Sequence, residues 1–281
     1  MKDVVLACCK NEADIIETFV RFYVHIGFDD IYLVDNGSED ATPAIVASLE
    51  REGLPVRLRF DRRIGYEQYL TEYYHWAGRA AKPRWLFFLD CDEFILFPHG
   101  IKEFVAGLDR DVNCLRFRQR EMFPCLGEPP DMFLLTRRTE PDFNDTVKYI
   151  SRYAPGARIY GGRHLIEAPG QRTTDVTSTF IRHYKYRSRE QAERKERNRV
   201  MTDSVYSDAD LAALSAFGVK VSRDWITHCR ESAAAKAWLR VFLPDCSALV
   251  DSEMADWVMG EGSELLAHWR GNNRVGVMYE R

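Results

Sequence analysis

The chain has 281 residues, 46% of them hydrophobic and 29% charged, with 39 basic against 43 acidic side chains for a net charge of −4. At roughly 150 residues per domain this predicts about two domains, or one α/β unit with an elaborated C-terminal part. No apolar run reaches the roughly 20 residues of a membrane span, which excludes integral membrane, collagen-like and disordered classes, and the near balance of charge argues against a nucleic-acid binder.

The opening stretch MKDVVLACCKNEAD is too briefly apolar for a signal peptide, and the seven cysteines show no paired spacing. Both features lead us to expect a cytoplasmic protein with reduced thiols. VVLACC, residues 4–9, reads as a strand buried on both faces. Asn11 is placed to cap a helix whose apolar positions run from Ile15 to Ile26, with Gly27 as its stop. IYLVD, residues 31–35, is a second strand, and Pro43 opens a helix that ends at Gly53. VRLRF, 56–60, then a Tyr-rich helix over about 65–80, then WLFFLD, 85–90, complete the alternation. Strands joined this way predict right-handed crossovers and a mostly parallel sheet.

After Pro98 the repeat stops: CLRFRQREMF reads as a strand, FPCLGEPPDMF as a loop and TVKYISRYAP as a strand and turn. From Arg182 to Arg199, eight basic and three acidic residues predict a charged helix. That local excess fits either contact with anionic lipid headgroups, or a lipid-linked acceptor, or a solvated helix laced with ion pairs; the interspersed Glu residues favour the last. LAALSAF, AAAKAWLRVFL and SELLAHW suggest further helices, with Trp225, Trp238, Trp257 and Trp269 packing them. We divide the chain softly near 180–190, into 1–185, with halves 1–100 and 101–185, and a helical extension over 186–281.

The chemistry concentrates in LDCDEF. If extended backbone continues past the strand, Asp90 and Asp92 point to the same side at the sheet's C-terminal edge, where open parallel sheets bind ligands. Two hard oxygen donors suit Mg²⁺ or Mn²⁺ with a diphosphate. The alternative is a turn cap and a solvated carboxylate, and Glu93 is either a third metal ligand or a turn cap. Asp35 ends another strand and either accepts hydrogen bonds from a nucleoside or closes an Asx turn with Asn36 and Gly37. The amides of Cys9, Lys10 and Asn11 precede a helix and favour anions, with Lys10 adding a charge, whereas Glu12 either contributes to the site or complements the helix dipole.

CCKNEADII, IYLVDNGSEDAT and WLFFLDCDEF, in this order and spacing, resemble the nucleotide-sugar half of family 2 glycosyltransferases of the GT-A type. More closely, LRFRQREMF, TVKYISR, GGRHLIE and IRHYKYRSREQAERK resemble elements of bacterial family 92-related glycosyltransferases. The resemblance implies a GT-A α/β fold and a nucleoside-diphosphate sugar donor. It also implies Asp90, Asp92 and His183 on the divalent cation, Asp35 at the nucleoside, and Lys148 and Arg182 as charge contacts for the diphosphate. A family 2 acid-acid signature is absent, so the acceptor's base stays open among Glu121, Glu167 and Asp145. An inverting transfer to a saccharide or lipid-linked acceptor, in bacterial polysaccharide or glycoconjugate synthesis, is the expected activity. The acceptor's identity and the oligomeric state are not legible. Two alternatives remain: a nucleotidyltransferase, which should carry a Gly-rich loop after the first strand, and a non-catalytic sugar-nucleotide-binding protein.

Overall fold

The computed structural model describes residues 1–63, 65–97, 99–124, 136–139, 147–185, 187, 191 and 248–250. The expected loop over 123–133 lies mostly outside these residues, and so do the helical extension, its four tryptophans and Asp145. The first half alternates as the sequence predicts: β1 (Asp3–Cys9), α1 (Ile16–His25), β2 (Asp30–Asp35), α2 (Thr42–Arg51), β3 (Val56–Phe60), a 3-10 turn (Tyr66–Tyr69), α3 (Leu70–Ala81) and β4 (Trp85–Asp90). β3, β2, β1 and β4 lie side by side and parallel. Their register aligns Cys9 with Asp35, and Cys8 with Asp90, so three strands end at one level.

The apolar alternation of these strands divides the core between two faces. Val5, Ala7, Phe87 and Leu89 face α1, whose Phe19, Phe22 and Tyr23 are fully buried, while Val4, Leu6, Leu86 and Phe88 face Tyr73 and Tyr74 of α3. Each such large side chain contributes roughly 1.5–3 kcal/mol when removed from water. The helix α1 starts at Ile16 without a side-chain cap, later than the sequence suggests. Asn11 instead sits in the left-handed region, φ 57°, and its Oδ1 accepts the Glu39 amide at 2.8 Å.

Beyond β4 come β5 (Glu93–Ile95), α4 (Gly100–Ala106), β6 (Cys114–Pro124), β7 (Thr136–Thr139), β8 (Val147–Ser151), β9 (Arg158–Tyr160), β10 (Leu165–Glu167), β11 (Thr173–His183) and β12 (Ala248–Val250). The sheet becomes mixed here: β8 is antiparallel to β4 and β6, and β11 is parallel to β6 and antiparallel to β5. β9 and β10 form a separate hairpin. The charged helix expected from Arg182 does not begin there, because Arg182 and His183 are the last residues of β11, paired with Phe94 and Glu93. Intrahelical charge pairing loses to strand pairing at this end.

Gly78 of α3 has its position dictated by Tyr153, from the second half of the chain. A Cβ there would stand 2.0 Å from the Tyr153 ring, which is itself held beside Tyr74 and His75. Helix propensity alone favours Gly78→Ala by about 1 kcal/mol, but overpacking costs about 1–3 kcal/mol. We predict that Gly78→Ala lowers the melting temperature and that adding Tyr153→Ala reverses the sign of the glycine substitution. A rise in melting temperature for Gly78→Ala alone would contradict this packing.

Candidate functional site

The extended geometry expected to continue to Asp92 ends two residues early. β4 stops at Asp90, Cys91 and Asp92 form a turn, and β5 starts at Glu93. The turn sends the two carboxylates to different partners. Asp90 accepts from Lys148 Nζ at 2.8 Å through Oδ2, and from Arg163 Nη2 through Oδ1. Asp92 stands 3.4 Å from His183 Nε2 and 3.8 Å from Arg187 Nη1.

Lys148 and Glu93 explain how this end of the strand stays folded. Both are buried and ion-paired with one another, and the second oxygen of Glu93 accepts the Asp90 amide at 2.9 Å. Glu93 therefore closes the turn and matches the ammonium. Tyr23 fixes β5 from below, donating to the Glu93 carbonyl at 2.9 Å and accepting the Ile95 amide at 3.2 Å. Burial works to raise the Asp90 carboxyl, but the charges of Arg163 and then Lys148 overcome it and hold it well below the usual carboxylate range.

His183 reaches Asp92 because β11 pairs with β5, and because the Tyr184 amide bonds the Asp92 carbonyl at 2.7 Å. Its Nδ1 lies 2.6 Å from Gln119 Nε2. With the Gln119 amide turned the other way, its oxygen would accept Nδ1–H and leave the Nε2 lone pair toward Asp92, the usual support of a metal-bound imidazole. A carboxylate oxygen and an imidazole nitrogen suit Mn²⁺, so Asp92 and His183 fit as two ligands. Asp90 does not complete that set, since both its oxygens are taken by cations. Among the described residues no group of three or more His, Cys, Asp or Glu side chains is arranged to hold a metal ion.

Arg187, which sequence periodicity placed on a solvated helix, is instead buried against acidic residues of the β1–α1 connection. It donates to Asp14 at 2.7 and 2.9 Å and to Glu12 at 2.5 Å. Glu12 is thus an ion-pair partner. The neighbouring amides are engaged by the β2–α2 loop: Asn11 N to Ser38 Oγ, Glu12 N to Thr42 Oγ1 and Ala13 N to Asp40. Lys10 is exposed, and Cys9 is buried with its thiol toward the Val34 carbonyl.

Asp35 combines both readings of its sequence context. Oδ1 closes a turn, accepting the Gly37 and Ser38 amides at 2.9 and 2.8 Å, while the buried Oδ2 has no hydrogen-bond partner among the described residues. At the adjacent strand end, the Asp61 amide bonds the Asp35 carbonyl, and the Asp61 carboxylate grips Arg63. Arg182 is buried with its guanidinium 4.2 Å from the centre of the Phe180 ring. Among the base candidates, Glu121 pairs through its backbone with His183, its side chain lying outside the described residues. Glu167, on the β9–β10 hairpin, is exposed and accepts from Tyr160 at 3.0 Å. Sequence reasoning missed Arg163, Arg187 and Asp61. The first two arrive from distant segments, and Asp61 had a strand-end signal like that of Asp35.

The profile of the Glycosyl transferase family 2 matches residues 4–194. The chain belongs to this family, and its α/β architecture is the GT-A type expected of it. A search of curated proteins found no match. Among solved structures, S. aureus TarS 1–349 in complex with UDP-GlcNAc is 16% identical with a TM-score of 0.44, covering 100% of this chain and 93% of that one. The mannosyltransferase PcManGT from Pyrobaculum calidifontis, in complex with GDP-Man and Mn²⁺, is 13% identical with a TM-score of 0.41, covering 100% and 88%.

Asp61 yields a prediction about pH. Its hydrogen bonds with Arg63 lower its carboxyl from 3.8 to about 2, so it contributes stability that is present above 3.8 and lost as the pH falls through about 2. Asp61→Asn should therefore flatten the stability curve between those two values while leaving its slope above pH 5 unchanged, measured by denaturant titration. An identical acid limb in both proteins would contradict the assignment. Lys148→Met should cost about 3–5 kcal/mol, because it strands buried Glu93 without its cation; a loss under 1 kcal/mol in the same titration would contradict it.

Proposed function

We propose that this family 2 glycosyltransferase moves a sugar from a nucleoside-diphosphate sugar to an acceptor hydroxyl in a divalent-metal-dependent, inverting reaction. The observation that carries the reading is the facing of Asp92 and His183 beside the Asp90 cluster, at the C-terminal edge of a parallel sheet. Asp92 and His183 would hold Mn²⁺ or Mg²⁺, and the cation would stabilise the negative charge that develops on the departing diphosphate. The buried Oδ2 of Asp35, without a partner among the described residues, supports a hydrogen bond to the nucleoside. Lys148 keeps a fixed positive charge at the strand end, which favours the leaving group electrostatically without reorganisation. Arg182 is assigned a lesser charge contribution from its place at the end of β11.

For the acceptor's proton, Glu121 is our choice over Glu167, because its backbone stands opposite His183 at the donor edge while Glu167 belongs to the outer hairpin. Asp145, outside the described residues, is the third candidate. We place the reaction in the cytoplasm, in polysaccharide or glycoconjugate synthesis, with a saccharide or lipid-linked acceptor and peripheral contact with the membrane where the acceptor is lipid-linked. Among the described residues no helix is long and apolar enough to cross a membrane.

A panel of nucleoside-diphosphate sugars with Mn²⁺, assayed for donor hydrolysis and transfer, tests this reading. Asp92→Ala should abolish turnover of the active donor and its Mn²⁺ dependence, whereas undiminished turnover would refute the site. Glu121→Gln should lower kcat by roughly 10²–10⁴-fold with little change in the donor KM. A product that keeps the donor's anomeric configuration, read by NMR, would overturn the inverting assignment and this role for Glu121.

A further inference from the structure

Arg163 ends a Gly161–Arg163 turn and combines backbone strain with incomplete hydrogen bonding. Its φ is 70°, and it follows Gly162 at 62°, so two consecutive residues hold left-handed geometry and the second carries a long side chain. Such strain in a residue other than glycine persists where the surroundings enforce it, and it clusters at binding sites. The side chain is 1% exposed, and its guanidinium lies 5.1 Å from the centre of the Phe88 ring. Nη2 is satisfied by Asp90; Nε and Nη1 are buried and have no hydrogen-bond partner among the described residues.

Asp90 and Glu93 share Lys148, so Arg163 supplies the second positive charge of the cluster, but that pairing engages only Nη2. Among the described residues, the groups around the guanidinium offer it no second free anion. Cys8 and Tyr66 interact with it electrostatically, but burial pushes both of their ionisations upward, so both are neutral near pH 7. Glu93 is committed to Lys148 and the Asp90 amide. Buried guanidinium N–H groups without acceptors are costly, and their natural complement is an oxyanion, for which the planar guanidinium is better matched than an ammonium.

We propose that Arg163 is a binding residue for the diphosphate of the sugar nucleotide, held in place by Asp90 and the Phe88 ring, with its unmatched N–H groups reserved for phosphate oxygens. This rests on the reading of the site as one for a nucleoside-diphosphate sugar. The two carboxylates of the pair then have separate roles, since Asp90 positions a cation for the leaving group while Asp92 faces His183.

Isothermal calorimetry on the full chain with Mn²⁺ tests it, using UDP, GDP, ADP, CDP and dTDP, each with its parent nucleoside, and inorganic pyrophosphate. For the diphosphate that binds the wild type, Arg163→Met should weaken affinity roughly 10- to 100-fold and leave the parent nucleoside within about twofold. Arg163→Lys keeps a cation on Asp90, which preserves the fold if the Met variant loses it, and should weaken the diphosphate more than about threefold because two donor positions are lost. Pyrophosphate should follow the diphosphate. Equal effects on diphosphate and nucleoside, or unchanged affinity in the Lys variant, would overturn the role of Arg163 while leaving the donor site standing. A wild type that binds none of the diphosphates would overturn the donor reading and this inference together.

Discussion

Two carboxylates that flank one turn, Asp90 at the end of β4 and Glu93 at the start of β5, are bridged by the buried Lys148 ammonium. Without Lys148, Glu93 would be left buried without its cation, and the turn that follows β4 would lose its charge balance. That turn decides where Asp92 goes. Because the chain reverses at Cys91 and Asp92 and re-enters the sheet as β5, the second carboxylate faces the end of β11 and meets His183. This edge of the sheet thus has two compartments: a charge-matched one around Asp90, Lys148, Glu93 and Arg163, and another where Asp92 faces His183.

Long-range strand pairing builds both compartments. β8 carries Lys148 antiparallel to β4, and the hairpin turn before β10 carries Arg163 onto Phe88. β11 carries His183 between β5 and β6, and the chain beyond it returns Arg187 to Glu12 and Asp14 near the end of β1. Residues more than 170 positions apart are therefore joined across the top of the sheet by one guanidinium. Its fork is well suited to gripping several carboxylate oxygens at once, whereas a lysine would meet them as a point charge.

The first half of the chain was legible because its signals are local. Apolar runs of five or six residues, ended by Asp35 and Asp90 and separated by amphipathic helices, fix the parallel strands and their common edge. The second half was less so. β6 and β8 read as strands, but their antiparallel placement follows from pairing partners far away in sequence. At Arg182 and His183, alternating charges imitate a helix while the residues add to a sheet. Asn11 shows the same limit at small scale: a good capping residue is drawn away by the β2–α2 loop, which offers it the Glu39 amide. Asp90 and Asp92 were found from their spacing, but their divergence depends on one turn, which spacing cannot encode. Arg163 lies in GGRHLIE, a segment that the resemblance singled out, but nothing local to it indicates pairing with Asp90.

The turn after β4 separates the pair and leaves Asp90 to cations of the protein, and we propose that it gives Asp92 to the metal with His183. A crystal grown with Mn²⁺ and a nucleoside diphosphate tests this directly, through anomalous scattering at the manganese edge. The account predicts one peak about 2 Å from both an Asp92 carboxylate oxygen and His183 Nε2, with Asp90 still bonded to Lys148. A peak ligated by Asp90 with Lys148 displaced, or manganese bound away from His183, would contradict it.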